Sequence, residues 1–453
     1  MQTHSPSSPG HGSGVVLAPF RGVRYDPDRV SELANVTSPP YDVIGPGTLD
    51  ELLAASPYNV VRLILPAMSL DAHAAGEVAA GRLRSWSASG VLVPDPTPAL
   101  YVYEQRGAGF VQRGLIGLVG VGNQGILPHE GVMPSLVAGR RELMMATRAN
   151  LEPILLVYNG GTSGTDSLDA LDGTEAHGTG GRGGPAGPAS RLTDLVAAQR
   201  PPLVSAVTGD GVTHRLWRIT DPAEHAAIAA DLAGRTALIA DGHHRYAAYR
   251  ELRDMMDAAG PWDYGLAFLV DADEYPPRLG AIHRVIPHLA PEEAVRLAAG
   301  AFTVEELPGA PGDGDIEAAV GRLAGAGRDE TAFLLAGRDG FWLLTRPDSD
   351  QLAAVMPAEA SPRWQALDAS VMQQLLLEGL WSIKDNERDV LISHDAGEAV
   401  RMAVEAGGTA VICNPMPLAA VKELAAHGER VPRKSTSFGP KPRTGLVLRT
   451  FDP

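Results

Sequence analysis

The stretch Ala237-Leu238-Ile239-Ala240-Asp241-Gly242-His243-His244-Arg245-Tyr246 decides the fold of this chain. Its apolar start predicts a buried strand, Asp-Gly predicts a turn, and apolar residues at helical spacing up to Met256 predict a helix. Two histidines and an arginine therefore fall in the first helical turn. Because cations there oppose the helix dipole, we expect a phosphate or a carboxylate nearby. The alternative is a surface helix whose histidines only fill space, and the crowding of the three side chains favours a functional site.

Composition excludes several classes of function. The chain has 453 residues and a net charge of −16, which argues against a general nucleic-acid binder. No apolar stretch is long enough to span a bilayer, so we expect no membrane partner. The single cysteine, Cys413, excludes a disulfide framework and fits a reducing cytoplasm, which is the expected location. Residues Met1–Gly14 are rich in Ser, Gly and His, which predicts a disordered leader and no secretion signal.

The alternation of strands and helices predicts a mixed α/β (α+β) protein. We expect an α/β core over residues 15–290, interrupted by a flexible Gly-rich insertion at 159–190. A strand is predicted at Val60–Leu65. Residues 291–347 are predicted to form a small α+β module, and 348–453 a parallel βαβα part that ends in a Lys-Ser-Thr loop.

A second cluster, His129 and Glu130, precedes a predicted helix that starts near Ser135 and carries Arg140. A glutamate in such a loop is suited to act as a general base, and the arginine to bind an anion. A solvated loop explains these residues equally well.

A third cluster combines the cations Lys434 and Lys441 with the hydroxyls of Ser435 and Thr436. Cations and hydroxyl groups in a loop stiffened by proline are the groups that a phosphate-binding loop uses. The pair His283-Arg284 ends another predicted strand. A lone histidine on a strand is more often structural than catalytic, so this pair adds support only beside the other clusters.

Taken in order, these clusters resemble the prokaryotic family called domain of unknown function 1015 (DUF1015). The matching segments are Ser38-Pro39-Pro40-Tyr41-Asp42-Val43, Pro128-His129-Glu130, Ala149-Asn150, Ala240 to Tyr246, His283-Arg284, Lys434-Ser435-Thr436 and Pro440-Lys441. The Asp-Gly-His-His-Arg segment is in turn similar to one in the ParB/sulfiredoxin-like superfamily, whose members bind nucleotides and include free-serine kinases. This resemblance implies a ParB/sulfiredoxin-like core in which the strand, turn and helix face nucleotide phosphates.

The expected function is a nucleotide-dependent kinase that phosphorylates the hydroxyl of free L-serine or a similar metabolite, using ATP, ADP or CTP with Mg²⁺. The expected roles are Glu130 as base beside His129, Asp241 as a Mg²⁺ ligand or helix cap, and Arg140, His283 and Arg284 on the substrate side. The expected phosphate-binding residues are Gly242, His243, His244, Arg245, Lys434, Ser435, Thr436 and Lys441. Two alternatives stay open, a ParB-like nucleotide-binding regulator with slow or no turnover and a non-catalytic scaffold.

Overall fold

The computed structural model describes residues 14–66, 71–161, 186–309, 315–386 and 388–452. Nearly all of the predicted leader and most of the predicted Gly-rich insertion lie outside the described residues. The predicted insertion at 159–190 extends too far at its C-terminal end, because a helix already begins at Pro188. Ala189 and Ser190 of this helix are buried.

The strands of the described residues are β1 Leu17–Ala18, β2 Val23–Tyr25, β3 Leu92–Pro94, β4 Leu100–Gly107, β5 Phe110–Gly120, β6 Ile126–Leu127, β7 Ala149–Asn150, β8 Ile154–Tyr158, β9 Val204–Val207, β10 Thr213–Ile219, β11 Ala237–Asp241, β12 Tyr264–Asp271, β13 Arg278–Gly280, β14 His283–Ile286, β15 Thr303–Leu307, β16 Ala332–Gly337, β17 Gly340–Thr345, β18 Leu391–Ser393, β19 Thr409–Cys413, β20 Ser437–Gly439 and β21 Arg449–Thr450.

The α-helices are α1 Leu33–Val36, α2 Pro46–Ala55, α3 Val61–Ile64, α4 Ala72–Ala88, α5 Pro134–Thr147, α6 Pro188–Gln199, α7 Pro222–Leu232, α8 His243–Asp254, α9 Pro291–Ala298, α10 Asp315–Ala326, α11 Ser349–Val355, α12 Pro362–Gln365, α13 Asp368–Val371, α14 Ala396–Ala406 and α15 Leu418–Ala426. Short 3₁₀ turns span Tyr41–Val43 and Pro261–Asp263, and a π-helix spans Met372–Leu380. The predicted mixed α/β class is confirmed.

The chain divides into two compact units. Unit 1 is formed within Met1–Pro128, Val132–Pro277 and Pro440–Pro453, and unit 2 within His129–Gly131 and Arg278–Gly439.

Unit 1 is built on a nine-stranded mixed sheet in the order β6-β11-β8-β12-β5-β4-β10-β9, with β1 paired to β5. Strand β11 runs parallel to β6, β12 runs parallel to β8, and the other neighbours are antiparallel. Every residue of β8, β11 and β12 is buried, as expected for strands inside a covered sheet. Helix α8 begins directly after β11, so the predicted strand, turn and helix are confirmed.

Unit 2 is built on a six-stranded antiparallel sheet in the order β15-β17-β16-β19-β14-β18. Strands β15 to β17 come from the predicted 291–347 module and β18 and β19 from the predicted C-terminal part. The two segments therefore share one sheet, where we had expected separate parts.

In the predicted parallel βαβα part within 348–453, the two strands run in the same direction but do not pair with each other. Strands β18 and β19 both pair antiparallel with β14, which lies between them. Strand β14 comes from more than a hundred residues earlier in the chain, and its buried Val285 and Ile286 occupy the centre of the sheet. A local alternation of elements does not reveal such an inserted strand.

The predicted strand at Val60–Leu65 is wrong, because Val61–Ile64 form a helical turn. The Asn59 side chain starts this turn, since its Oδ1 accepts a hydrogen bond from the Val61 backbone N at 2.9 Å. Val60, Val61, Leu63 and Ile64 are all fully buried. A run of six residues that is apolar except for Arg62 is too short for its periodicity to separate helix from strand.

Candidate functional site

The junction between β11 and α8 in unit 1 requires a glycine. Gly242 has φ +96°, a left-handed conformation, and occupies the N-cap of α8. A Cβ atom there would lie 2.8 Å from Ile154 Cγ2 and 3.1 Å from Arg245 Nε. Having no side chain, Gly242 also leaves the helix start without a side-chain cap.

Asp241, the last residue of β11, lies between two cations. Its Oδ2 is 2.5 Å from Arg245 Nη2, and its Oδ1 is 2.6 Å from Lys441 Nζ. Burial raises the pKa of Asp241 and the charge of Asp42 adds to the rise, against the attraction of Arg245 and Lys441. The carboxylate that we expected near the first turn of α8 is therefore supplied by the chain itself.

Lys441 joins a second carboxylate to the first. Its Nζ is 2.7 Å from Asp42 Oδ2, and the two side chains are 21% and 33% exposed. Burial disfavours the ionised Asp42, but Lys441 and Arg245 outweigh burial and lower its pKa. The two carboxylates likewise raise the pKa of Lys441 against the effect of burial. The Asp-Lys-Asp cluster, formed by Asp42, Lys441 and Asp241, is thus a group of directly contacting acidic and basic side chains, of which Lys441 and Asp42 are partly exposed to solvent.

Arg245 supports this cluster through its contact with Asp241. Only 2% exposed, it donates from Nη1 to the Pro153 carbonyl at 2.6 Å and from Nη2 to Asp241. Both Nη atoms are committed within the protein, so the geometry does not support the predicted phosphate contact of Arg245. It is a positioning residue that holds Asp241. The neighbouring His243 is buried and His244 is half-buried.

A second ion pair positions Tyr41, the neighbour of Asp42. Glu152 Oε1 accepts a hydrogen bond from the Tyr41 backbone N at 3.0 Å, and burial raises the pKa of Glu152. Arg140 Nη1 lies 3.9 Å from Glu152 Oε2, and its guanidinium lies 4.2 Å from the centre of the Tyr41 ring. Arg140, which we predicted on the substrate side, therefore fixes the segment that carries Asp42.

In unit 2 the predicted His-Glu pair meets the predicted Lys-Ser-Thr loop. Thr436 Oγ1 donates to Glu130 Oε1 at 2.6 Å and lies 3.0 Å from His129 Nε2. His129 is fully buried, whereas the Glu130 side chain is 28% exposed. A hydroxyl between a carboxylate and an imidazole holds the glutamate in a fixed orientation.

Arg284, also predicted on the substrate side, shapes the same loop. It is almost fully buried and donates from Nη2 to the Arg433 carbonyl at 2.8 Å and from Nη1 to the Lys434 carbonyl at 3.0 Å. Asp385 contacts both Arg284 and Arg433. With these carbonyls held, Lys434 adopts φ +51° and its side chain is exposed.

His283 is a structural residue. Its Nδ1 accepts a hydrogen bond from the Cys413 backbone N at 3.2 Å, and burial lowers its pKa to about 4. The histidine is therefore neutral at physiological pH and serves the pairing of β14 with β19.

Asp241 does not fit the predicted role of Mg²⁺ ligand, because both of its oxygens already contact cations. Among the residues that the structure describes, no group of three or more His, Cys, Asp or Glu side chains is arranged to hold a metal ion.

Sequence reasoning did not assign Asp42, Tyr41 or Glu152 to the site. Asp42 and Tyr41 were visible only as part of a proline-rich turn motif. Glu152 carried a signal that could have been used, since it is a lone charge between the apolar residues Leu151 and Ile154. A carboxylate buried in such a run needs a cation, and Arg245 and Arg140 provide it.

No helix in the described ranges is both long and apolar enough to cross a membrane. No curated protein matches the chain.

Solved structures show weak likenesses. A mutant free serine kinase in complex with ADP is 15% identical with a TM-score of 0.33, and the match covers 71% of this chain and 89% of that chain. SbnI with a C-terminal truncation, from Staphylococcus aureus, is 13% identical with a TM-score of 0.35, covering 74% and 87%. A conserved hypothetical protein from Pyrococcus furiosus is 14% identical with a TM-score of 0.32, covering 71% and 90%. With TM-scores below 0.5, we base neither fold nor function on these structures.

The family comparison is more extensive. The model of a family described as protein of unknown function (DUF1015) matches residues 17–177 and 184–370, which is well over half of the chain. The resemblance inferred from the motifs is confirmed, and the chain belongs to the DUF1015 family.

Proposed function

We propose that this protein is a nucleotide-dependent phosphotransferase that acts on the hydroxyl of a small metabolite, with free L-serine as the first candidate acceptor. The observation that carries the proposal is the Lys441 ammonium held between Asp42 and Asp241 at the start of α8. Phosphoryl transfer needs a cation for the phosphate, a polar cradle and a group that orients the attacking hydroxyl.

The donor phosphate binds at the exposed side of Lys441. The N-terminal end of α8 carries a partial positive charge, and the bare Gly242 lets a phosphate approach the backbone closely. His243 and His244, in the first turn, remain proposed phosphate contacts. In unit 2, Lys434, Ser435 and Thr436 stay predictions as phosphate contacts.

Donor binding has a consequence for Asp42. A phosphate oxygen is negatively charged like Asp42 and competes with it for the single positive charge of Lys441, while Asp241 keeps its own contact with Lys441. Asp42 is a third exposed and is then released to accept a hydrogen bond from the acceptor hydroxyl. Arg245 keeps Asp241 in place throughout, since its contacts are buried.

The test compares the two carboxylates that are candidates for the base, Asp42 in unit 1 and the sequence-predicted Glu130 in unit 2. Asp42→Asn and Glu130→Gln keep the shape and remove the charge. We expect Asp42→Asn to retain nucleotide binding while turnover falls about 10²–10⁴-fold. A Glu130→Gln variant with that loss and an active Asp42→Asn would return the role to Glu130.

The assay measures nucleotide turnover with ATP, ADP and CTP in parallel, with L-serine or L-alanine added. L-Alanine is the matched control because it lacks only the hydroxyl. Turnover that rises with L-serine and is unaffected by L-alanine is the expected result. Nucleotide binding without turnover for any hydroxyl acceptor would contradict the kinase and favour a nucleotide-binding regulator.

A further inference from the structure

Unit 2 contains a cavity of about 490 Å³ that shares only Ser435 with the proposed phosphate contacts. Its wall is formed by residues near the start of β14, the turn before β16, helices α12 and α13, the segment after β19, and α15. This volume lies in the range of pockets that enclose a whole small molecule.

The charges on the wall nearly cancel. The charged residues that line the cavity are Arg284, Arg328, Arg363, Asp329, Glu330, Asp368 and Glu423. Three cations therefore face four carboxyl groups. A nucleotide with several negative charges would meet more carboxyl groups than guanidinium groups, whereas a ligand with one charge of each sign finds partners for both.

Most of these charges are already committed to protein partners. Arg363 is paired with Glu423 at 3.2 Å and with Glu429 at 2.6 Å, and Arg284 is held by backbone carbonyls and Asp385. Arg328, by contrast, is exposed, and its guanidinium has no ion-pair partner among the residues that the structure describes.

Asp368 is the matching acid. It is half-buried at the start of α13, where its side chain is hydrogen-bonded to Thr331, and burial raises its pKa. The hydrogen bond with Thr331 does not offset the effect of burial on Asp368. An ammonium group brought by a ligand therefore stabilises the charged form of this carboxyl. Arg328 thus supplies a partner for the carboxylate of a zwitterion, and Asp368 supplies a partner for its ammonium group.

Apart from Thr331, Asn414 and Ser435, the rest of the wall carries no polar side chain of Ser, Thr, Asn or Gln, and it includes an irregular helix. Phe333, Leu367, Met372 and Met416 line the cavity and are buried. Met372 is also the first residue of the π-helix Met372–Leu380. Helical segments with π geometry are rare and occur frequently at functional sites. Flexible methionine side chains suit an aliphatic ligand of variable shape.

We propose that this cavity binds a free amino acid with an apolar side chain of about the size of leucine or methionine. The carboxylate of the ligand pairs with Arg328, its ammonium pairs with Asp368, and its side chain packs against Phe333 and Met372. This site does not depend on the proposed phosphotransferase activity.

The test dissects the ligand and the site together on the full-length chain by calorimetric titration. The probes are L-leucine, isoamylamine, which lacks the carboxylate, and 4-methylpentanoate, which lacks the ammonium. We expect leucine to bind at least about tenfold more tightly than either half-ligand. Arg328→Gln should weaken leucine about tenfold and leave isoamylamine unchanged, while Asp368→Asn should weaken leucine and leave 4-methylpentanoate unchanged.

Arg338→Gln and Asp339→Asn, in the exposed turn between β16 and β17, are matched controls outside the cavity and should bind leucine like the parent. Arg328 is exposed, so its substitution tests the proposal even if Asp368→Asn fails to fold. The proposal is overturned if neither leucine nor methionine binds at millimolar concentration. It is equally overturned if ADP binding, rather than leucine binding, is lost in Arg328→Gln.

Discussion

At the scale of single residues, the site depends on a few side chains whose positions are fixed by their immediate neighbours. The dipeptide Asp241-Gly242 could be predicted from the sequence because a turn between a buried strand and a helix has a recognisable composition. Lys441 was predicted at the same site as Asp241, whereas Asp42, the second carboxylate in contact with Lys441, was not. Lys441 and Asp42 are 399 positions apart in the chain, and no local pattern connects them.

Gly242→Ala tests the tightest of these positions. The variant combines a left-handed backbone with a Cβ atom 2.8 Å from Ile154 Cγ2. We expect it to lower the free energy of unfolding by roughly 1–3 kcal/mol, measured by urea denaturation. Gly211→Ala is the control, because Gly211 has φ +76° and open space around its Cβ position, so it carries the backbone strain alone. Equal losses in the two variants would show that the close approach at Gly242 has no energetic weight.

At the scale of elements, the sequence predicted those helices and strands that depend on interactions between residues close together in the chain. Helix α4 begins where Asp71 accepts a hydrogen bond from the Ala74 backbone N, and β15, α10, β16 and β17 follow in the predicted order. The errors arose where the outcome depends on distant partners, as in the helical turn at Val61–Ile64 and the insertion of β14 between β18 and β19.

The pairing of β10 with β4 leads to a prediction about pH. His214 of β10 is buried, and its Nδ1 lies 2.8 Å from the Tyr103 hydroxyl. Burial and the charge of Arg443 lower its pKa to about 4, from 6.5 for an ordinary histidine. Between these values the unfolded chain binds a proton that the folded chain does not, so stability falls as the pH falls. The expected contribution of His214 is about 1.4 kcal/mol per pH unit.

The measurement is the free energy of unfolding of the parent and of His214→Gln at several pH values between 7 and 4.5. Above pH 6.5 the two pH profiles should run parallel. Below pH 6.5, the variant should lose stability less steeply with falling pH than the parent. The difference in slope corresponds to the uptake of about one proton on unfolding. Parallel profiles through the whole range would mean that His214 is protonated in the folded protein.

At the scale of the whole molecule, the sequence predicted one site assembled from all three clusters. The structure assigns Asp241 and Lys441 to unit 1, and His129, Glu130 and Lys434 to unit 2. The composition and the order of the motifs sufficed for the family and the α/β class. They could not assign residues to units, because the chain enters unit 2 for three residues at His129–Gly131 and returns to unit 1.

The central claim is that the Lys441 ammonium binds the phosphate of a nucleotide, and calorimetric titration of Lys441→Met with ADP and with adenosine tests it most directly. Adenosine lacks the phosphates, so its affinity should not change. The affinity for ADP should fall by about one to two decades, since a charge-assisted contact is lost. Lys384→Met, at an exposed lysine of unit 2, should bind both like the parent. ADP binding by Lys441→Met at the parental affinity, in a variant that unfolds like the parent, would contradict the account.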